Sequence, residues 1–109
     1  MITFDDFQKV DIRIGKILSV EDAETRKPMF KIKLDFGELG IKQTIAGLKD
    51  FYEKEELEGK MVAAVVNLEP RKMGPEVSEC MIMAAVVGDD EKVTVLNPQS
   101  DIDPGAKVY

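Results

Sequence analysis

The chain has 109 residues, of which 44% are hydrophobic and 33% are charged, and its net charge is −6. This length and composition predict a single globular domain, residues 1–109, and exclude a disordered chain. No apolar run is long enough to span a bilayer, and the acidic amino terminus MITFDDFQKV lacks the features of a secretory signal, so no membrane role is expected.

The residue types that are missing exclude several kinds of chemistry. Histidine is absent and Cys80 is the only cysteine, which excludes His-activated nucleophiles, His-ligated metals and an internal disulfide. No phosphate-binding glycine loop is present. Carboxylates fall in clusters such as EKEELE and GDDEK that are typical of solvated surface, so an enzyme with a carboxylate pair is the least supported alternative. We therefore predict a non-enzymatic, cytoplasmic protein that needs no cofactor.

The amino-terminal segment TFDDFQK predicts a short helix. Thr3 has the side chain of an N-cap, Asp6 follows three residues later, and acids in the first turn suit the helix dipole. Phe4, Phe7 and Val10 would form one apolar face, which either packs on the domain itself or meets a second copy. Because a small domain has little interior for extra aromatic rings, we predict that these three residues form a dimer interface.

The first predicted strand is VDIRIGKILSV. Val10, Ile12 and Ile14 alternate on one side of it, as in a half-buried strand. Its Gly15-Lys16 step predicts a bulge or a bend, because a glycine inside a strand often marks one.

The second predicted strand is MFKIKLDF, and its alternation separates two sets of side chains. The inward set is Phe30, Ile32, Leu34 and Phe36, and the outward set is Lys31, Lys33 and Asp35. The turn GELG then leads to a third strand, IKQTIA.

The second half of the chain predicts a helical insert and more strands. GLKDFYEKEELEG favours one or two helical turns that end at Gly59, and MVAAVVNL and CMIMAAVVG are nearly continuous apolar runs, which indicates strands covered on both faces. GDDE predicts a hairpin turn into KVTVL, and NPQSDIDPGAKVY a turn-rich tail with a short extended end. This layout predicts an all-β fold: a five-stranded oligonucleotide/oligosaccharide-binding (OB) barrel with a short helical insert and terminal extensions.

Positive charge is concentrated in one part of this acidic chain. From Arg26 to Lys49 there are six basic and two acidic residues, a local charge of +4. Lys31, Lys33 and Lys42 are predicted on the outward faces of the second and third strands, which bind ligands in OB barrels. Because a phosphate backbone responds to the local patch, the net charge does not exclude a nucleic-acid partner.

The segment NLEPRKMGPEVSECM, residues 67–81, separates the two most apolar runs. Pro70 and the Gly74-Pro75 step predict an exposed turn, so Arg71 and Lys72 form either a solvated turn or a clamp for phosphate. The same segment carries three polar residues, Asn67, Ser78 and Glu79, which either tie up backbone or contact bases and ribose.

Four motifs, VDIRIGKI, IKQTIAGL, VVNLEPRKM and SECM, resemble the tRNA-binding domain family. That family includes free-standing small proteins and the carboxy-terminal module of many methionyl-tRNA synthetases. FDDFQKVDIR and RKPMFKIKLDFGELGIKQ are most similar to the CsaA-type export-related chaperones, whereas NLEPRKMG is more similar to the archaeal synthetase-associated form. The resemblance covers about residues 4–107 and implies an OB-fold homodimer that binds the outer corner of tRNA by shape.

The resemblance also implies an RNA-binding surface around the segment 67–81. Carried over onto this sequence, and joined by the two outward lysines of the second strand, the predicted contacts are Lys31, Lys33, Lys42, Gln43, Asn67, Arg71, Lys72, Ser78 and Glu79. The chain departs from the family at Cys80, where many members have glycine. We interpret Cys80 as a small buried hydrophobe, since the neighbouring Glu79 disfavours a thiolate.

Three functions stay open at this point. The first is a structure-selective tRNA-binding protein, and the second is a trans-acting partner of an aminoacyl-tRNA synthetase. The third is a CsaA-type chaperone in which an apolar groove with Met81 and Met83 binds unfolded or export-bound polypeptides. We predict the tRNA-binding function, and the scarcity of aromatic residues argues against general single-strand binding.

Overall fold

The computed structural model describes all 109 residues, and five antiparallel strands form a nearly closed barrel, as predicted. The strand order is β3-β2-β1-β4-β7, and Glu79 N–H donates to Gln43 O at 2.8 Å to join the last strand to the first. The helices are α1 (Phe4–Gln8) and α2 (Lys54–Leu57), with a 3-10 turn at Gly37–Leu39. The strands are β1 (Ile12–Asp22), β2 (Phe30–Asp35), β3 (Ile41–Ala46), β4 (Met61–Val65), β5 (Arg71–Met73), β6 (Glu76–Ser78), β7 (Met81–Ile82), β8 (Ala84–Val87), β9 (Lys92–Val95) and β10 (Lys107–Val108).

The interior of the barrel is filled by the inward side chains of its strands. The alternation predicted for β2 is confirmed, because Phe30, Ile32, Leu34 and Phe36 are buried in the main apolar cluster. The insert predicted between the third and fourth strands is also confirmed as α2. Its Leu57 is fully buried under the barrel, and Gly59 ends the insert with a φ of +78°.

The glycine of β1 has a different role from the predicted one. β1 pairs regularly with β4 through Gly15 and Lys16, and the register shift falls later, between Ile17 and Ser19. The predicted position of the bulge is therefore wrong. A Cβ atom at Gly15 would lie 2.6 Å from Cε1 of Phe36. The close approach of this aromatic ring requires glycine there.

A second, smaller apolar cluster covers the outer face of β1 and β4. It contains Ile12, Ile14, Ala63 and Val65, and half-buried side chains of α1 and β10 pack against it. Both faces of β4 are thus covered, as predicted. The run CMIMAAVVG is not covered in this way, because it divides into β7 and the β8–β9 hairpin, where Val86 and Val87 are 51% and 63% exposed.

The predicted amino-terminal helix is confirmed as α1. Thr3 Oγ1 accepts a hydrogen bond from Asp6 N–H at 3.1 Å, and Asp6 Oδ2 accepts one from Thr3 N–H at 3.2 Å. Phe7 packs on the second cluster, whereas Phe4 and Val10 stay 69% and 40% exposed. Neither α1 nor α2 has the length and apolar composition that crossing a bilayer requires.

Candidate nucleic-acid interface

The segment around Arg71 and Lys72 folds as a small hairpin beside the barrel. β5 and β6 pair antiparallel, with Arg71 opposite Ser78 and Lys72 opposite Val77. The turn uses Gly74, whose φ of +62° lies in the region that favours glycine. The hairpin connects the fourth and fifth barrel strands, β4 and β7, so it occupies one of the two loops that bind ligands in OB barrels.

A line of four residues crosses from the barrel onto this hairpin. Lys33 on β2 lies opposite Gln43 on β3. The side-chain amide of Gln43 donates to Val77 O on β6 at 2.7 Å, and Val77 lies opposite Lys72 on β5. We call Lys33, Gln43, Val77 and Lys72 the cationic row. Its two lysines are exposed and lie outside the five ion pairs of the structure, so their charges are not neutralised.

Arg71 lies next to the cationic row and is also exposed and unpaired. It lines a cleft of about 200 Å³ together with apolar side chains of β3 and β7, including Ile45, Met81 and the neighbouring Met29. A guanidinium beside an apolar cleft can bind a phosphate at its rim, while the methionines offer soft contacts to an apolar ligand.

Two further cations, Arg26 and Lys27, face the tip of the hairpin. They belong to the β1–β2 loop, residues 23–29, which lines a cleft of about 660 Å³ with Met73, Gly74 and Pro75. Both cations lie in the positive segment from Arg26 to Lys49, but the predicted site residues did not include them. The pattern that identifies them is a basic pair in the β1–β2 loop, because OB barrels bind with that loop and the one between the fourth and fifth strands.

Lys31 differs from Lys33, although both point away from the core of the barrel. Its ammonium lies 3.3 Å from Glu76 Oε1, and the other oxygen of Glu76 accepts a hydrogen bond from Glu24 N–H at 2.9 Å. The hydrogen bond from Glu24 and, after it, the Lys31 cation hold the pKa of Glu76 below its usual value. Lys31 is therefore engaged inside the protein.

Lys42 lies on a different face from the predicted one. It pairs with Leu34, which is fully buried, so Lys42 occupies the core-facing side of β3 at the end of the barrel and not the outward side. Two-residue alternation from the start of β3 requires this, because Thr44 on the same side is also buried. Lys42 lies beside Cys80 instead.

Cys80 is buried, as predicted. Burial, followed by the charge of Glu79, raises the pKa of its thiol to about 12, and the Lys42 cation opposes this effect only in part. Cys80 therefore packs as a neutral side chain between β6 and β7.

Asn67 is used to tie the start of the chain to the end of β4. Its Oδ1 accepts from Asp11 N–H at 2.9 Å, and its Nδ2 donates to Lys9 O at 2.7 Å. Arg13 on β1 donates to Asp11 Oδ1 at 2.7 Å, so this cation is engaged in an ion pair.

Ser78 and Glu79 hold the hairpin against β3. Ser78 is only 3% exposed, and its hydroxyl bonds Thr44 Oγ1, Ile45 N–H and Cys80 O within 3.2 Å. Glu79 is exposed, but its Oε1 accepts from Gln43 N–H at 3.0 Å. The structure thus places Lys33, Gln43, Arg71 and Lys72 on neighbouring strands, with the adjacent Arg71 and Lys72 on opposite faces of β5. Lys31, Asn67 and Ser78 are engaged in internal contacts.

A small barrel with cationic loops on one side defines the class of OB-type binding domains. A sequence model described as putative tRNA binding domain matches residues 12–107, so this chain belongs to the tRNA-binding domain family. The family's domain is a non-catalytic binding module.

Solved structures of similar proteins cover the whole chain. The CsaA chaperone of Bacillus anthracis superposes with a TM-score of 0.93 at 33% identity, covering 100% of this chain and 99% of that one. The CsaA chaperone of Picrophilus torridus gives 0.91 at 40% identity with complete coverage of both chains. A MetRS related protein of Pyrococcus horikoshii gives 0.90 at 30% identity, covering 100% of this chain and 98% of that one.

The sequence is also similar to part of methionine–tRNA ligases. It is 41% identical to the ligase of Methanococcoides burtonii over 109 residues, which is 100% of this chain and 16% of the ligase. It is 41% identical to that of Pyrococcus furiosus over 107 residues, which is 98% of this chain and 14% of the ligase. The chain therefore spans about a sixth of the ligases it matches.

Proposed function

We propose that this chain binds tRNA through the cationic row, Arg71 and the β1–β2 loop. The observation that carries the proposal is the pair of unneutralised lysines, Lys33 and Lys72, held in one line by the hydrogen bond from Gln43 to Val77. Cations whose positions are already fixed bind a polyanion more tightly than mobile ones, because little conformational freedom is lost on binding.

The chemistry of the surface favours recognition of the RNA backbone and its shape. Lys33, Lys72 and Arg71 offer ammonium and guanidinium groups that suit phosphate, and the guanidinium binds it with two parallel hydrogen bonds. The cationic row contains no aromatic side chain on which an unpaired base would stack. Shape-selective binding of a folded RNA is the mode that fits such a surface.

We propose further that the functional unit is a homodimer. Phe4 and Val10 of the predicted interface are exposed, and Val86 and Val87 of the β8–β9 hairpin add more exposed apolar surface. A two-fold pair would present two cationic surfaces, so the second contact with one RNA becomes intramolecular.

The dimer is tested by sedimentation. Phe4→Asp, which is compatible with the first turn of α1, should convert a dimer into a 12.2 kDa monomer, while Leu39→Asp should not.

A role as a trans-acting partner of an aminoacyl-tRNA synthetase is the second part of the proposal. The similarity to a segment of methionine–tRNA ligases supports it, because a domain of this family added in trans would offer the ligase a second surface for tRNA. Adding the protein to a ligase that lacks such a segment should lower the KM for tRNA without changing kcat. Arg71→Glu with Lys72→Glu should remove this effect.

A chaperone for unfolded or export-bound polypeptides is the alternative function. The whole-chain likeness to two CsaA chaperones and the cleft between Met29 and Met81 favour it. The two functions are separated by competition: labelled tRNA is bound at increasing salt, and an unfolded apolar peptide is added. Steep salt dependence with no displacement by the peptide supports tRNA as the ligand. Salt-insensitive peptide binding that displaces tRNA supports the chaperone.

A further inference from the structure

Glu76 is a buried acid inside the surface that we propose for a polyanion. The residue is 7% exposed, and both of its carboxylate oxygens have partners from other parts of the chain. One oxygen accepts from the backbone N–H of Glu24 at 2.9 Å, and the other lies 3.3 Å from the ammonium of Lys31. The carboxylate therefore joins β6, β2 and the β1–β2 loop at one point.

This contact ties the β1–β2 loop to the β5–β6 hairpin. Within the loop, Ala23 N–H donates to Met29 O at 2.9 Å and Thr25 Oγ1 donates to Lys27 O at 2.6 Å, which fixes its local shape. The bond between Glu24 and Glu76 is the single hydrogen bond that connects the loop to the β5–β6 hairpin. Glu24 also lines the 660 Å³ cleft between Arg26, Lys27 and the hairpin tip.

We infer that Glu76 is a positioning residue for RNA binding, because its carboxylate holds the cationic loop against the hairpin and keeps the cleft between them preformed for the phosphate backbone. The inference rests on the proposed function. Gln43 and Ser78 fix the root of β6 to β3, but residues at the tip, where the cleft opens, have only Glu76 as a polar tie to the loop.

For the replacement of Glu76, the positioning role and simple electrostatics predict opposite changes in tRNA affinity. Removing an acid from the binding surface of a polyanion should tighten binding if charge alone decides the affinity. Glu76→Gln should weaken it instead, because an amide has one acceptor oxygen and cannot satisfy both Glu24 N–H and the Lys31 ammonium. We expect a loss of tRNA affinity of about five- to tenfold from the lost preorganisation.

Glu21→Gln is the matched control, because Glu21 is an exposed acid on β1 that lies opposite Lys31 of β2. Its removal should leave the affinity unchanged or raise it.

A double-mutant cycle separates positioning from loss of folding. Glu76→Gln is combined with Arg26→Ala and Lys27→Ala, and tRNA affinity is measured for each variant. If Glu76 acts by placing the loop cations, its substitution has no further effect once they are gone. Hydrogen exchange at the Glu24 amide, measured without RNA, should accelerate in Glu76→Gln even when the rest of the barrel keeps its protection.

Two results would overturn the inference while leaving the proposed function intact. One is a Glu76→Gln protein that binds tRNA as tightly as the unmodified chain, or more tightly. The other is a loss of affinity that persists unchanged in the Arg26→Ala, Lys27→Ala background. A failure of the unmodified chain to bind tRNA in the same assay would instead overturn both proposals.

Discussion

Gln43 and Glu79 exchange two hydrogen bonds that close the barrel. Glu79 N–H donates to Gln43 O at 2.8 Å, and Gln43 N–H donates to Oε1 of Glu79 at 3.0 Å. The same Gln43 reaches Val77 O with its side chain, so one residue fixes both the barrel seam and the cationic row. The contacts that close the barrel and the contact that defines the cationic row thus share one residue, Gln43.

This relationship predicts a structural role for the Glu79 side chain. Glu79→Ala removes the acceptor of Gln43 N–H and should lower the free energy of unfolding by about 1 kcal/mol, whereas Glu79→Gln keeps an acceptor oxygen and should lose less. Urea unfolding of the three proteins measures the difference. An unchanged unfolding free energy together with weaker tRNA binding would show that Glu79 contacts RNA directly, as the sequence predicted.

The approach of Phe36 to Gly15 predicts a steric cost for any side chain at that position. Gly15→Ala places a methyl group 2.6 Å from the ring of Phe36 and should lower the free energy of unfolding by about 1 to 3 kcal/mol. Gly47→Ala is the control, because the nearest side-chain atom to a Cβ there is 4.0 Å away. Thermal unfolding distinguishes them. Equal stability of the two variants would contradict the packing described for β1.

The burial of Cys80 predicts an unreactive thiol in the folded protein. With a pKa raised to about 12, mainly by burial, almost no thiolate is present at neutral or mildly alkaline pH. Labelling with a disulfide reagent should be slow in native protein and fast after urea is added. Rapid labelling without urea would mean that the connection between β6 and β7 opens readily and that Cys80 is not a packed core residue.

The lowered pKa of Glu76 predicts how stability changes in acid. Because the folded-state pKa lies below the usual value of 4.5, its contribution to stability is fully present above pH 4.5 and is lost as the pH falls through the folded-state pKa. The difference in unfolding free energy between the unmodified chain and Glu76→Gln should therefore shrink in acid. Urea titrations at pH 7 and at about pH 3 measure it. A difference that grows at low pH would contradict this account of the contact with Lys31 and Glu24.

The sequence predicted secondary structure correctly where side chains alternate between the core-facing and the outward side of a strand, and where a helix has a clear N-cap. The two-residue pattern of Phe30 to Phe36 identified β2 and its inward face, and Thr3 with Asp6 identified the start of α1. The motif order carried the family, and through it the proposed site around Arg71 and Lys72.

Contacts between segments that are distant in the chain could not be predicted from the sequence. A lysine on an outward strand face gives no sign of whether an acid 45 residues later will reach it, as Glu76 reaches Lys31. The face of Lys42 depends on the register between β2 and β3, and a one-residue difference in register exchanges the two faces of a strand. The sequence showed that a glycine inside β1 is unusual, but the reason, which is the close packing of the Phe36 ring, is visible only in the structure.

The central claim is that fixed, unneutralised cations beside β3 bind the tRNA backbone. The most direct test measures tRNA affinity against salt for the unmodified chain, for Arg71→Glu with Lys72→Glu, and for a control with the same charge change, Lys60→Glu with Lys92→Glu, at exposed positions elsewhere. We expect a steep salt dependence, little change in the control, and loss of binding in the hairpin variant with its barrel still folded. Equal affinities of the hairpin variant and the unmodified chain at physiological salt would contradict the claim.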